Sequence, residues 1–107
     1  MANTKNPVLT ESTYYILLSL YKPLHGYGIM QNVKDITNGR VNIGAGTLYG
    51  AINTLLSKGY IAEYNSSEPS KKEYIITVQG KEIVEKEIVR LKELVSNGEK
   101  ITEGGTL

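Results

Sequence analysis

Residues 45–58 read AGTLYGAINTLLSK, and their spacing sets the rest of the fold. Stepped at about 100° per residue, Leu48, Ile52, Leu55 and Leu56 share one arc of a helix, a stripe that needs a core to pack on. Thr47, Gly50, Ala51, Thr54 and Lys58 fall on the opposite arc, all small or polar apart from the terminal lysine. A helix with such a slim, hydrogen-bonding face can bring its backbone close to another surface. Gly44-Ala45-Gly46 makes a tight turn into it, and Gly59 marks its end.

Working back from this helix, Arg40 to Ile43 reads as a very short strand, and Asn38-Gly39 offers the left-handed residue that closes a helix. That earlier helix spans Gly26 to Thr37, with Tyr27, Met30, Val33 and Lys34 at helical spacing. A first helix runs from Thr10, a capping residue, to Tyr21, with Leu9, Ile16, Leu17 and Leu20 near one stripe. Pro23 stops it. Working forward, YIAEYN (Tyr60 to Asn65) and KEYIIT (Lys72 to Thr77) are β-prone runs joined by the turn-rich Ser66 to Lys71, which predicts a hairpin. Thr77 caps a last helix, Val78 to Ser96, whose Val84, Ile88, Leu91 and Val95 step by the seam spacing of a coiled coil. Ile83, Val89 and Leu94 widen its apolar surface. Asn97 to Leu107 has few apolar residues and three glycines, the composition of a disordered tail.

The chain has 107 residues, enough for one modest core. Eight tyrosines stand beside no Phe or Trp, so every aromatic carries a polar end. With no cysteine there is no disulfide, thiolate nucleophile or thiolate metal site, and the polar start MANTKNPVLTES is neither a secretory signal nor a membrane span. A cytoplasmic protein without a membrane partner is the expectation. His25 is the only histidine, so no histidine metal cluster and no Ser-His-Asp arrangement with spare partners is in sight, and a structural role at the start of a helix is favoured over catalysis. Gly44-Ala45-Gly46 lacks the lysine of a phosphate-binding loop. No catalytic, cofactor-binding or metal-binding residue is expected, and the chain reads as a non-enzyme.

The order helix, helix, short strand, helix, hairpin is that of a winged helix-turn-helix. The fold class is therefore mainly α with a small β-hairpin, followed by a long carboxy-terminal dimerisation helix. In this arrangement the third helix enters the major groove of double-stranded DNA and the hairpin tip rests on the flanking backbone. The expected DNA-contacting residues are Thr47, Gly50, Ala51, Asn53 and Thr54 on the third helix, with Tyr49 at its start. Tyr27 and Lys34 come from the second helix and Ser67, Ser70, Lys71 and Lys72 from the wing. Hydroxyls on the third helix can read either base type and its methyls can touch thymine. Asn53, on the flank of the slim face, is the nearest group to a bidentate base reader. The net charge is only +1. Residues 1 to 80 hold seven Lys or Arg against five Asp or Glu, and residues 81 to 107 five against six, which favours the amino-terminal part as the phosphate-contacting one. The same near-neutral charge supports an alternative, a winged helix used as a protein-interaction module.

HGYGIM (His25 to Met30), GTLYGAINTLLSKGYI (Gly46 to Ile61) and KKEYIITVQGKE (Lys71 to Glu82) resemble three successive signatures of the PadR family of transcriptional regulators. The likeness spans residues 8 to 96, and the length is similar to that of the short subfamily with a single helix after the wing. It implies a dimeric repressor of an operator, in which Leu48 anchors the core and Tyr49, Tyr27 and Lys72 lie near the DNA backbone. Gly50 departs from the family's usual proline, and SEPSKKEY from its usual arginine-rich wing. A homodimer interface is expected from Leu17 and Tyr21 on the first helix and Val84, Ile88, Leu91 and Val95 on the last. The resemblance also implies a small apolar or phenolic effector, for which only tyrosines are on hand to stack. The divisions are a flexible amino terminus over 1–7, the winged helix over 8–77, the dimerisation helix over 78–96 and a disordered tail over 97–107.

Overall fold

The computed structural model describes residues 7–65 and 71–104. Four helices and three strands follow in the order α1 (Glu11–Ser19), β1 (Leu24–His25), α2 (Gly26–Ile36), α3 (Ala45–Lys58), β2 (Ile61–Tyr64), β3 (Glu73–Ile76) and α4 (Val78–Thr102). Their boundaries have local causes. The Thr10 hydroxyl accepts the Thr13 N–H at the start of α1. That helix stops at Ser19 rather than Tyr21, because its end tightens, with the N–H groups of Leu20 and Tyr21 donating to the Leu17 and Leu18 carbonyls. His25 caps α2, its Nδ1 accepting the Gly28 N–H at 3.1 Å. Asn38 and Gly39 both take positive φ beyond its end. Gly59, at φ 77°, closes α3, and the Tyr60 N–H reaches back to the Leu55 carbonyl.

β3 is the central strand of an antiparallel sheet ordered β1-β3-β2, with Leu24 opposite Tyr74 on one side and Ile61 opposite Ile76 on the other. The short strand expected at Arg40 to Ile43 is therefore misplaced: the third strand is Leu24–His25. Arg40 to Ile43 satisfies its backbone around Thr37 instead. The Thr37 hydroxyl donates to the Val33 carbonyl at 2.8 Å and accepts the Val41 N–H at 3.0 Å, while Arg40 pairs with Glu11. Ile43 then drops into the core.

The core joins Ile16, Leu17 and Leu20 of the first helical segment to Ile29 and Val33 of α2, Leu48, Ile52 and Leu55 of α3, Ile61, Tyr74 and Ile76 of the sheet, and Val84 of α4. Two of the residues expected at a dimer contact are thereby relocated. Leu17 and Val84 are 0% and 1% exposed, so neither offers surface to a partner. The coiled-coil spacing of α4 merges two uses: its first turns cover the domain's own core, and only the later ones project.

The root of α4 is locked to the wing. The Thr77 hydroxyl accepts the Gly80 N–H and donates to the Gly59 carbonyl at 2.7 Å. A Cβ on Gly80 would collide with the Tyr60 carbonyl and the Ile76 side chain, so this helical glycine is there for close approach. About two turns further on, Glu87 is 4% exposed. Its carboxylate accepts two bonds from Arg90, at 2.9 and 2.7 Å, and is also bonded by the backbone of Leu9. The segment Pro7–Thr10 is thus held against α4, and on its other side it borders Thr54, Lys58 and Tyr60.

Past the domain, α4 continues through Asn97-Gly98 to Thr102, so the tail expected to be disordered from 97 is helical to that point. An interior glycine costs a helix only about 1 kcal/mol, too little to end it. The stop comes at Gly104, which takes φ 81° and whose N–H donates to the Ile101 carbonyl. Residues 105–107, like most of the expected flexible amino terminus, lie outside the described residues.

Candidate nucleic-acid interface

One side of the domain gathers α3, the start of α2 and the base of the wing. α3 presents an exposed line of Gly46, Gly50, Asn53 and Ser57, flanked by Thr47 and Thr54. Around both Gly46 and Gly50 the space is open, with no atom of the chain within 4 Å of where a Cβ would stand. The Thr54 hydroxyl donates to the Gly50 carbonyl at 3.2 Å. Ala51, expected on this face, instead turns half-buried against the core: at about 100° per step it lies beside Leu55 and Leu48 rather than beside Gly50.

Tyr27, Tyr49, Lys71 and Lys72 come together around a cleft of about 500 Å³, with His25, Gly26 and Tyr74 completing its wall. Tyr49 reaches across from α3, and a Cβ on Gly26 would collide with its hydroxyl. Gly26 is a residue whose role sequence reading missed. Its only signal was its place in HGYGIM, since a side chain arriving from another helix leaves no trace in local spacing. Tyr74 is buried, and that burial holds its phenol above the usual tyrosine range, with Tyr49 and Glu63 adding to the effect and Lys72 opposing it. Lys72 forms an exposed ion pair with Glu63 of β2 at 3.5 Å.

The remaining expected contacts are more scattered. Lys34 is exposed near the end of α2, away from the residues lining the cleft. Ser67 and Ser70 lie outside the described residues. Among the described residues, no helix is long and apolar enough to cross a membrane, and no cluster of His, Asp or Glu is placed to hold a metal ion.

A separate surface belongs to the projecting half of α4. Ile88, Leu91, Lys92, Val95, Ser96 and Glu99 line a groove of about 310 Å³ completed by Tyr14 of α1. Leu94, Val95 and Ile101 are each more than half exposed. Tyr21, partly exposed, is engaged within its own chain, with the Lys81 ammonium 5.5 Å from its ring centroid.

Several solved structures share this arrangement. A transcriptional regulator from Clostridium thermocellum matches at TM-score 0.66 and 25% identity, over 90% of this chain and 93% of that one. A PadR family transcriptional regulator from Eggerthella lenta DSM 2243 matches at TM-score 0.71 and 24% identity, over 87% and 82%. PadR of Bacillus subtilis, solved in complex with operator DNA, matches at TM-score 0.63 and 25% identity over 72% of this chain and 46% of that regulator. No curated protein matches the sequence. The family model described as the transcriptional regulator PadR-like family matches residues 16–86, from the core of α1 into α4. With the winged helix, its signature stretches and that match together, the chain belongs to the PadR-like family of transcriptional regulators, a family of regulators and not of enzymes.

Proposed function

We propose that this protein is a dimeric repressor that binds an operator by placing α3 in the major groove and the base of its wing on the adjoining phosphates. The observation that carries this reading is the exposed face of α3. Gly50 interrupts the helix there at a cost of about 1 kcal/mol, and the chain's own packing asks neither for it nor for Gly46 in the first turn. A groove-entering helix does ask for them, since its backbone must come near the base edges. Tyr27, Tyr49, Lys71 and Lys72 stand beside that face as short-range donors and cations suited to the backbone. The operator complex of Bacillus subtilis PadR supports the same use of the fold.

In the dimer, the half-buried Ile88 and Leu91 and the exposed Leu94, Val95 and Ile101 of α4 meet their counterparts about a two-fold axis. Tyr21 and Tyr14 border this contact. The groove between Tyr14 and α4 then becomes the place where a small apolar or phenolic effector sits, closed on its open side by the partner.

Binding to the DNA upstream of the protein's own gene, followed by fluorescence anisotropy over a series of salt concentrations, tests the reading. Replacing Lys71 and Lys72 together by alanine lowers the salt slope by at most about two, uniformly across sequences. An unchanged slope removes the wing from the contact set, and no binding at low salt overturns the reading as a whole.

A further inference from the structure

We propose that Asn53 is the base-selecting residue of α3, pairing its carboxamide with N6 and N7 of an adenine, and that Thr54 adds contact to a thymine methyl beside it. The proposal rests on α3 entering the major groove and names what it reads there.

The assignment follows from what each exposed position can offer. Gly46 and Gly50 carry no side chain and have open space around them. Ala51 is turned to the core. Tyr49 is drawn sideways over Gly26 into the cleft. The hydroxyls of Thr47 and Ser57 are exposed, but a hydroxyl donates and accepts equally and favours no base. Asn53 is left as the exposed side chain of this face with a fixed donor and a fixed acceptor side by side. Among the described residues its carboxamide makes no hydrogen bond.

That pair of groups has one complementary base edge in the major groove. Adenine presents an N6–H donor beside the N7 acceptor, matching the carboxamide oxygen and nitrogen together. Guanine presents two acceptors and would set O6 against the carboxamide oxygen. Thr54, one residue on, has its hydroxyl committed to the Gly50 carbonyl, so its methyl is what it can offer a base. Gly50 precedes Asn53 by three residues and Thr54 by four, so both side chains sit one turn along from the bare position, on either side of its line. The glycine lets the helix settle until these two short side chains reach the floor of the groove.

The test begins with selection of bound duplexes from a randomised pool by the wild-type protein and by Asn53→Ala. The wild type is expected to fix an adenine in each half-site, and Asn53→Ala to lose that preference while still binding. In the selected duplex, 7-deazaadenine removes only the N7 acceptor. At the fixed position it should weaken the wild type about tenfold and leave Asn53→Ala unaffected. Replacing the neighbouring thymine by uracil removes only the methyl. It should weaken the wild type and Thr54→Val, which keeps a methyl in place, more than Thr54→Ser. An unchanged adenine preference in Asn53→Ala, or a preferred site with no adenine sensitive to the N7 deletion, overturns the assignment and leaves operator binding standing. A wild-type pool with no preferred base overturns both.

Discussion

Single residues decide how firmly the winged-helix domain is joined to its projecting helix. Glu87 is a buried carboxylate held by two bonds from Arg90, and those bonds, with the Leu9 backbone, hold its ionisation below the usual glutamate range against the opposing effect of burial. A carboxyl group whose folded value is depressed stabilises the fold above its unfolded value, near pH 4.3, and that contribution fades as pH falls through the folded value. Denaturant unfolding of the wild type should therefore show stability dropping steeply below about pH 4.3. Glu87→Gln should be about 1–2 kcal/mol less stable at neutral pH and change less on acidification. Equal acid slopes in the two proteins would remove Glu87 from the account. None of this was legible in the sequence, where Glu87 is one of six acidic residues after position 80. A charge at helical spacing reads as solvated surface until a segment from elsewhere, here Pro7–Thr10, is laid over it. His25 was legible, because a capping side chain bonds to a backbone group only three residues away.

Among the elements, α3 was the most readable, with the expected bounds Ala45 to Lys58 matching those observed. Its two faces follow from angle alone, and only Ala51, at the boundary between them, went to the other side. The strand expected at Arg40 to Ile43 was not legible, since two-residue strands depend on which edge of β3 is open and not on their own composition. The wing was legible as a hairpin but not as an electrostatic unit: the pairing of β2 with β3 sets Tyr64 against Glu73, and Lys72, next along the strand, meets Glu63. Glu63→Gln should thus release Lys72 toward phosphate, giving tighter operator binding and a steeper salt dependence. Thermal stability should stay within about 0.5 kcal/mol of wild type, as for other exposed pairs. Weaker binding by this variant would mean that Glu63 orients Lys72 rather than competing for it.

At the scale of the whole molecule, the radius of gyration is 16.1 Å, against about 13 Å for a compact chain of this length. The excess belongs to α4, which carries the longest extent to 57 Å. The seam spacing predicted a helix needing a partner but could not divide it into the part that covers its own domain and the part that projects. With Val84 in the core, the informative substitution moves outward. Leu94→Asp with Val95→Asp should leave the fold of the monomer intact, convert a dimer to monomers in sedimentation, and weaken binding to a two-half-site operator far more than to a single half-site. Dimers persisting in that double variant would place the contact elsewhere.

The lock between Gly80 and the Tyr60 carbonyl makes α4 a lever clamped at one end. Its 25 residues extend about 37 Å at 1.5 Å per residue, so a tilt of roughly 5° at the clamp swings the tip by about 3 Å. Run in reverse, if two copies pair through α4 as proposed, about 3 Å of sliding at the far end becomes a rotation of each domain by roughly 5°. In the proposed dimer, gearing of this kind would let a contact at the far end of α4 re-aim the two domains without altering any residue on the proposed DNA face.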